Sequence, residues 1–124
     1  MQSPRDAHWT LVKRILRYVH GTVHKELQLQ RSSTPSLVAF SDADWAGCPD
    51  RRRSTSCFCI FFGDSLVSWL SKRQAVVSRS SAEAEHRDVA NAAAECCWLR
   101  YLLGELNVML VKATLVYCDN ISAV

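Results

Sequence analysis

The stretch SSAEAEHRDVANAAAECCWLRYLLGEL, residues 80–106, decides the fold because it carries the strongest secondary-structure signal of the chain. Ser80 and Glu83 form a capping box, which predicts a helix that begins here and continues to about Leu106. Glu85 heads an apolar stripe at helical spacing, whereas Glu83 lies on roughly the opposite face. The other members of the stripe are Val89, Ala92, Cys96, Leu99, Leu103 and Leu106. We therefore expect Glu83 to cap the helix in solvent and Glu85, in its first turn, to point inward.

Three apolar runs before this helix and one after it predict the strands of a sheet. Residues 37–42, LVAFSD, have the composition of a buried strand. Residues 57–62 and 66–70 are joined across Gly63-Asp64, which predicts an antiparallel hairpin. Residues 115–119 follow the helix, so we expect this strand to run parallel to an earlier one. The element order predicts an α/β fold in which a helix packs on a mixed sheet.

The N-terminal residues predict a helix that precedes the sheet. Ser3, Pro4 and Asp6 indicate its start, and Gly21 indicates its end. The apolar residues of its amphipathic stripe are Leu11, Val12, Ile15, Leu16 and Val19. A polar connector or weak strand follows and ends in Ser32, Ser33, Thr34 and Pro35. The chain is thus predicted to consist of a helix and connector, residues 1–36, and a domain, residues 37–124.

Composition limits the class of protein. A chain of 124 residues that is 48% hydrophobic and 22% charged is typical of one globular domain. The net charge of +3 is compatible with a partner that bears phosphates. No apolar run approaches the ~20 residues of a membrane span, and no secretory cleavage pattern follows the N-terminus. We expect a cytoplasmic or nuclear location without secretion. The Arg-rich start also resembles a mitochondrial transit peptide, although a folded helix explains it better.

The six cysteines do not have the spacing of a zinc site. They are Cys48, Cys57, Cys59, Cys96, Cys97 and Cys118. No CxxC pair and no His-x-x-x-His partner accompanies them, and this spacing argues against tetrahedral zinc. We expect buried thiols that act as small hydrophobic side chains in a reducing compartment.

Three carboxylates are candidates for a metal site. Asp42 and Asp119 end two strands, each in phase with apolar residues of its run, and Glu85 heads the helix stripe. Ligands collect beyond the carboxyl ends of parallel strands, and converging carboxylates usually hold a divalent cation. Asp44 shares the phase of Asp42 and could replace it. The alternatives are that the aspartates are turn formers, or that Glu85 is solvated or paired with an arginine in residues 51–53.

Two groups of basic residues are candidates for phosphate contacts. Arg51, Arg52 and Arg53 follow the first strand, and Lys72, Arg73 and Arg79 precede the long helix. Phosphate binding and a solvated basic turn remain equal alternatives for these residues, because single phosphate contacts are unspecific.

Four segments together resemble one known family. Residues 40–56, 68–100 and 115–124 (FSDADWAGCPDRRRSTS, SWLSKRQAVVSRSSAEAEHRDVANAAAECCWLR and LVYCDNISAV) are similar to the ribonuclease H domain of copia-type retrotransposon Pol polyproteins. Residues 8–22, HWTLVKRILRYVHGT, resemble the connection that joins reverse transcriptase to that domain. The resemblance covers nearly the whole chain and implies a ribonuclease-H-like fold.

The resemblance also implies a function and a site. Asp42 matches the family's first-strand aspartate, Glu85 its helix glutamate and Asp119 its fourth-strand aspartate. The implied reaction is cleavage of RNA in RNA–DNA hybrids during reverse transcription, with two Mg²⁺ ions about 4 Å apart and Mn²⁺ as an alternative. The implied partners are the hybrid duplex and the reverse transcriptase domain of a longer polyprotein, with no membrane.

The sequence departs from the family pattern in ways that affect this expectation. The family pattern continues with a His-containing stretch and a further acidic ligand, so we expect the family's last strand and terminal helix to be missing here. Cys57 stands where the family usually has Gly, and His86 where it has Tyr. We expect an inactive or weakly active fragment that self-associates through an uncovered sheet edge. An active endoribonuclease, a nucleic-acid-binding remnant and a protein-interaction module remain open alternatives.

Overall fold

The computed structural model describes residues 5–31 and 35–121 and has a mixed α/β architecture. Its elements, in chain order, are α1 (Asp6–Thr22), β1 (Leu37–Asp44), β2 (Thr55–Phe62), β3 (Ser65–Arg73), α2 (Ser81–Glu105) and β4 (Leu115–Cys118). The predicted order of three strands, a helix and a strand after an N-terminal helix is confirmed. The architecture is compatible with a ribonuclease-H-like fold.

The four strands form one sheet in the order β3-β2-β1-β4. β2 is antiparallel to both β1 and β3, and β4 is parallel to β1. The antiparallel β2–β3 hairpin and a parallel partner for β4 among the earlier strands are confirmed. Phe62 pairs with Ser65 across the two-residue turn. Gly63 adopts a φ of 57° there, a backbone conformation that glycine accepts without steric cost. The long connection through α2 allows β4 to lie beside β1 in the same direction.

Helix α2 has clear signals at both ends. The Ser80 hydroxyl accepts a hydrogen bond from the Glu83 N–H at 3.1 Å, as the capping box predicts. After the helix, Asn107 adopts a φ of 59°, and the Val108 N–H donates to the Leu103 carbonyl. This is the left-handed termination that satisfies the last carbonyls of a helix. We had expected Glu85 in the first turn of this helix. Because α2 begins at Ser81, Glu85 lies in its second turn instead.

The hydrophobic core lies between α2 and one face of the sheet. Its buried members are Leu37, Ala39, Phe58, Ile60, Ala92, Cys96 and Leu99. The predicted stripe of α2 is confirmed at its centre, but Leu106 is exposed because it lies beyond the last helical residue. All six cysteines are free. Cys48 and Cys96 are buried as expected, whereas Cys97 is exposed, because it lies on the outer side of α2.

The two faces of the sheet have different surroundings. Residues of β1 alternate, so that Leu37, Ala39, Ser41 and Ala43 lie under α2. We call this side the covered face. The opposite side, the bare face, carries Phe40, Phe61 and Tyr117. The Phe40 ring stacks on Tyr117 at 5.2 Å between centroids and meets Phe61 edge-on at 6.1 Å. Phe40 and Tyr117 nevertheless stay about half exposed.

Helix α1 has no buried residue in the structure. The predicted start at Ser3 and Pro4 lies outside the described residues. The helix ends at Thr22 and passes through Gly21, which we had expected to terminate it. Residues 23–31 and 35–36 contain no strand, so the described part of the connector is not extended sheet. Neither described helix has the length and apolar content needed to cross a bilayer. The division into residues 1–36 and 37–124 stays a prediction.

Candidate metal centre

Glu85 is an almost fully buried carboxylate, with 4% of its surface exposed. Its Oε1 atom accepts a hydrogen bond from the backbone N–H of Ala43 at 3.0 Å. Its Oε2 atom accepts one from the Cys118 thiol at 3.6 Å. The expectation that Glu85 points inward is confirmed. The salt bridge found within residues 5–31 and 35–121 joins Glu83 to Arg87. Among these residues Glu85 therefore forms no salt bridge to the arginines of residues 51–53.

Glu83 has the solvent-side capping role that its position predicts. Its carboxylate accepts hydrogen bonds from the Arg87 guanidinium and from the backbone N–H of Arg79, both at 2.8 Å. The Arg87 hydrogen bond, together with the Arg79 N–H, holds the pKa of Glu83 below its ordinary value. Glu83 and Glu85 therefore differ in environment, although they are only two residues apart.

Glu85, Cys118 and Asp119 form the cluster of potential metal ligands in the described part of the chain. One ligand atom from each residue lies within 4.8 Å of those of the other two. The parallel pairing of Ser41 with Cys118 brings the carboxyl end of β4 beside β1, where the second turn of α2 passes. Asp119 follows β4 directly and is exposed. Two carboxylates that face each other at a solvent-accessible edge can share a divalent cation.

Asp42 lies outside this cluster, on the bare face. The phase that Asp42 shares with apolar residues of its run predicts an inward side chain, and this was wrong, because both faces of β1 carry apolar residues and α2 covers the other one. β1 also continues through Asp44, so the chain does not turn immediately after Asp42. The side chains of Asp42 and Asp44 are both exposed. Asp42 remains adjacent in the sheet to β4, which pairs with β1 up to Ser41.

Asp88 is a buried acid that the sequence analysis missed. It has no exposed surface, and its Oδ2 atom accepts the backbone N–H of Asp42 at 3.0 Å. Burial raises the pKa of Asp88 to about 6, and the charge of Glu85 adds to the increase. Asp88 is three residues after Glu85 and therefore shares its helix face. The predicted stripe stepped by four to Val89, so a step of three would have found Asp88.

A buried polar network supports the start of α2. Gln74 donates from Nε2 to the Ser56 hydroxyl at 3.0 Å and to the Ala84 carbonyl at 2.9 Å. Its Oε1 accepts a hydrogen bond from the Ser78 hydroxyl at 2.8 Å, and the Trp45 indole donates to the Ser78 carbonyl. These bonds join the loop after β1, the end of β3 and the first turn of α2. The network fixes the helix end from which Glu85 and Asp88 reach the sheet.

The predicted basic residues lie at the same end of the sheet as the acids. Thr55 and Ser56 at the start of β2 pair with Arg73 and Lys72, directly after the loop that carries residues 51–53. The residues with exposed side chains are Arg51, Arg52, Lys72, Arg73 and Arg79, and Arg53 is half-buried. A groove of about 520 Å³ between β3 and α2 includes Lys72 and Arg73 in its lining. Their contact with phosphate stays a prediction.

Comparison with known proteins shows relatives over nearly the whole chain. The retrovirus-related Pol polyproteins from transposons RE2 and RE1 of Arabidopsis thaliana are 46% and 45% identical to it over 123 residues. These matches cover 99% of this chain and 8% of each polyprotein. Secreted RxLR effector protein 161 of Plasmopara viticola is 43% identical over 97 residues, which are 78% of this chain and 68% of that protein. No protein-family model and no solved structure matches.

Proposed function

The chain belongs to the same family as these proteins, the sequences related to retrotransposon Pol polyproteins, and from this premise we propose that it is a ribonuclease H segment. The chain spans about 8% of the length of the Pol polyproteins that it matches, so the proposal concerns this segment and not the activities of a whole polyprotein. The proposed reaction is cleavage of the RNA strand of an RNA–DNA hybrid. The observation that carries this proposal is that the carboxylates of buried Glu85 and exposed Asp119 lie within 4.8 Å of each other at one sheet edge.

The residues at this edge fit a divalent cation. Glu85 and Asp119 would hold it, and Asp42 on the neighbouring strand would serve a second ion from the bare face. Their oxygen atoms are the hard ligands that Mg²⁺ and Mn²⁺ prefer. When bound, such ions activate a water molecule and stabilise the leaving oxygen of a phosphodiester. The Ala43 N–H orients the Glu85 carboxylate, and the exposure of Asp119 leaves the edge open to a large substrate.

The basic residues support a nucleic acid as the substrate. Lys72, Arg73, Arg79 and the arginines of residues 51–53 lie at the acidic end of the sheet, where their charges can contact phosphates. Hybrid duplexes are read through their shape and 2′-hydroxyl groups more than through base sequence. We expect hybrid binding that weakens steeply with salt. We expect slow cleavage, because Asp42 lies apart from the two clustered carboxylates.

The test uses the whole purified chain with RNA–DNA hybrid, duplex DNA and Mg²⁺ or Mn²⁺. We expect cation-dependent cleavage of the RNA strand alone, at a rate that Glu85→Gln and Asp42→Asn each reduce by at least about 100-fold. Glu83→Gln is the matched control, because it removes a carboxylate from the same helix on the solvent side, and it should leave the rate unchanged. Cleavage that persists in Glu85→Gln, or that needs no divalent cation, contradicts the proposal. Salt-dependent binding without cleavage supports the binding-module alternative instead.

A further inference from the structure

The cluster at the sheet edge contains a thiol as well as carboxylates. Cys118 is half-buried, and its Sγ atom lies 3.6 Å from Glu85 Oε2, within the group that Asp119 completes. Sulfur is a poor ligand for Mg²⁺, whereas thiolates select Zn²⁺ and other softer metals. The composition of this cluster therefore differs from that of an all-oxygen magnesium site. The cysteine spacing gave no sign of this, because the other two ligands are carboxylates: Asp119 is the next residue, and Glu85 lies 33 residues earlier in the chain.

A buried hydroxyl beside the thiol is a second observation that points to a ligand. Ser41 is 6% exposed, and its Oγ atom has no hydrogen-bond partner among the residues that the structure describes. Ser41 is the partner of Cys118 in the parallel ladder, and both side chains lie on the covered face. An unsatisfied buried hydroxyl is costly unless something polar completes it. Its place beside Cys118 in the ladder brings this hydroxyl next to one member of the cluster.

We propose that Glu85, Cys118 and Asp119 form a site for a thiophilic divalent cation of the Zn²⁺ class. Three protein ligands with one open position are the usual arrangement of a non-structural zinc site. Ser41 would support the ligand in the open position through its hydroxyl. Binding breaks the S–H bond of Cys118, forms a sulfur–metal bond and releases one proton to solvent, with no change of oxidation state.

This inference concerns the cation preference of the same edge at which we propose hybrid cleavage. It shares Glu85 and Asp119 with that function but does not need cleavage to occur. If both hold, a thiophilic ion competes with Mg²⁺ for the two carboxylates, and Cys118 gives it the advantage. Zn²⁺ then acts as an inhibitor of the Mg²⁺-dependent reaction. The two proposals can fail separately, because metal binding is measured without any nucleic acid.

The experiment titrates the whole reduced chain with Cd²⁺, a spectroscopic substitute for Zn²⁺. We expect a sulfur-to-cadmium charge-transfer band in the ultraviolet that saturates at one equivalent in the presence of excess Mg²⁺. Cys118→Ser should remove this band and lower Cd²⁺ affinity by at least about 100-fold. Cys57→Ser is the matched control, since it removes another half-buried thiol, on the bare face, and it should retain the band.

A second variant keeps the test valid if Cys118→Ser disturbs the fold. Asp119→Asn changes an exposed side chain and should keep the charge-transfer band while weakening Cd²⁺ binding by at least about 10-fold. A band that survives in Cys118→Ser, an affinity unaffected by Asp119→Asn, or the absence of a saturable band in the unmodified chain would each overturn the inference. If the unmodified chain binds Cd²⁺ as expected but does not cleave the hybrid, that result would count against the proposed function alone.

Discussion

The covered and bare faces of the sheet are built from the same strands but differ in how deeply their side chains are buried. On the covered face, small and branched side chains such as Ala39 and Ile60 pack under α2 with no exposed surface. On the bare face, Phe40 and Tyr117 contact each other yet remain about half exposed. Since side chains alternate along a strand, β1 contributes to both environments within eight residues. Contact with α2, and not the apolar character of a side chain, therefore decides which side chains of β1 are buried.

The largest expected difference between the faces is in stability. Ile60→Ala removes a fully buried side chain of the covered face and should lower the free energy of unfolding by about 2–5 kcal/mol. Phe40→Ala on the bare face should cost only about 1 kcal/mol, the size of an aromatic pair contribution. Chemical denaturation of both variants and the unmodified chain measures this. Equal losses would mean that the bare face is covered in solution.

Helix α2 places a buried acid, Asp88, against the covered face, and its effect on stability depends on pH. Because the pKa of Asp88 is raised from 3.8 to about 6, the native chain binds more protons than the unfolded chain between these values. Stability from this group is therefore full below about pH 4 and is lost as the pH rises to about 6. Asp88→Asn should remove this part of the pH dependence, so its stability relative to the unmodified chain should increase with pH. Denaturation across this range with a chelator present tests it, and an unchanged slope would refute it.

The smallest expected effect concerns the uncovered edge of the sheet. β4 is an edge strand, and Leu115 on its bare-face side is about half exposed. A charged side chain on an edge strand opposes pairing with another chain. Leu115→Lys should therefore weaken self-association by about 10-fold, which corresponds to ~1.4 kcal/mol. Sedimentation velocity over a range of concentrations measures this, and an unmodified chain that stays monomeric throughout would contradict the expected self-association.

Local signals predicted the elements well, because their causes lie within a few residues. The Ser80 cap and the Gly63 turn each act over two to four residues, and both lie where the sequence indicates. The direction of β4 followed from the helix that precedes it. The burial of Glu85 was predicted correctly, because its position in the α2 register relates it directly to the core.

The parts that sequence did not predict depend on contacts between distant elements. The face occupied by Asp42 could not be determined, because apolar residues alternate on both sides of β1 and only the position of α2 distinguishes them. The helix face of Asp88 could have been found by a step of three from Glu85, but its partner, the Asp42 N–H, lies 46 residues away and could not. Cys118 was set aside as a potential ligand because no CxxC pair and no His-x-x-x-His partner accompanies the cysteines, whereas its partners in the cluster are carboxylates. Spacing rules detect ligands that share a loop, whereas this cluster joins α2 to the end of β4.

The parallel pairing of β1 with β4 has a consequence for the order of folding. Glu85 reaches Ala43 across 42 residues, and Cys118 then joins Glu85 from 33 residues further along the chain. The hairpin and α2 can form before β4 exists, but the cluster closes only when this four-residue strand docks. Long-range contacts of this kind form late, because their loop-closure entropy must be overcome first. During synthesis the edge therefore stays incomplete until the residues of β4 have emerged, long after those of β1.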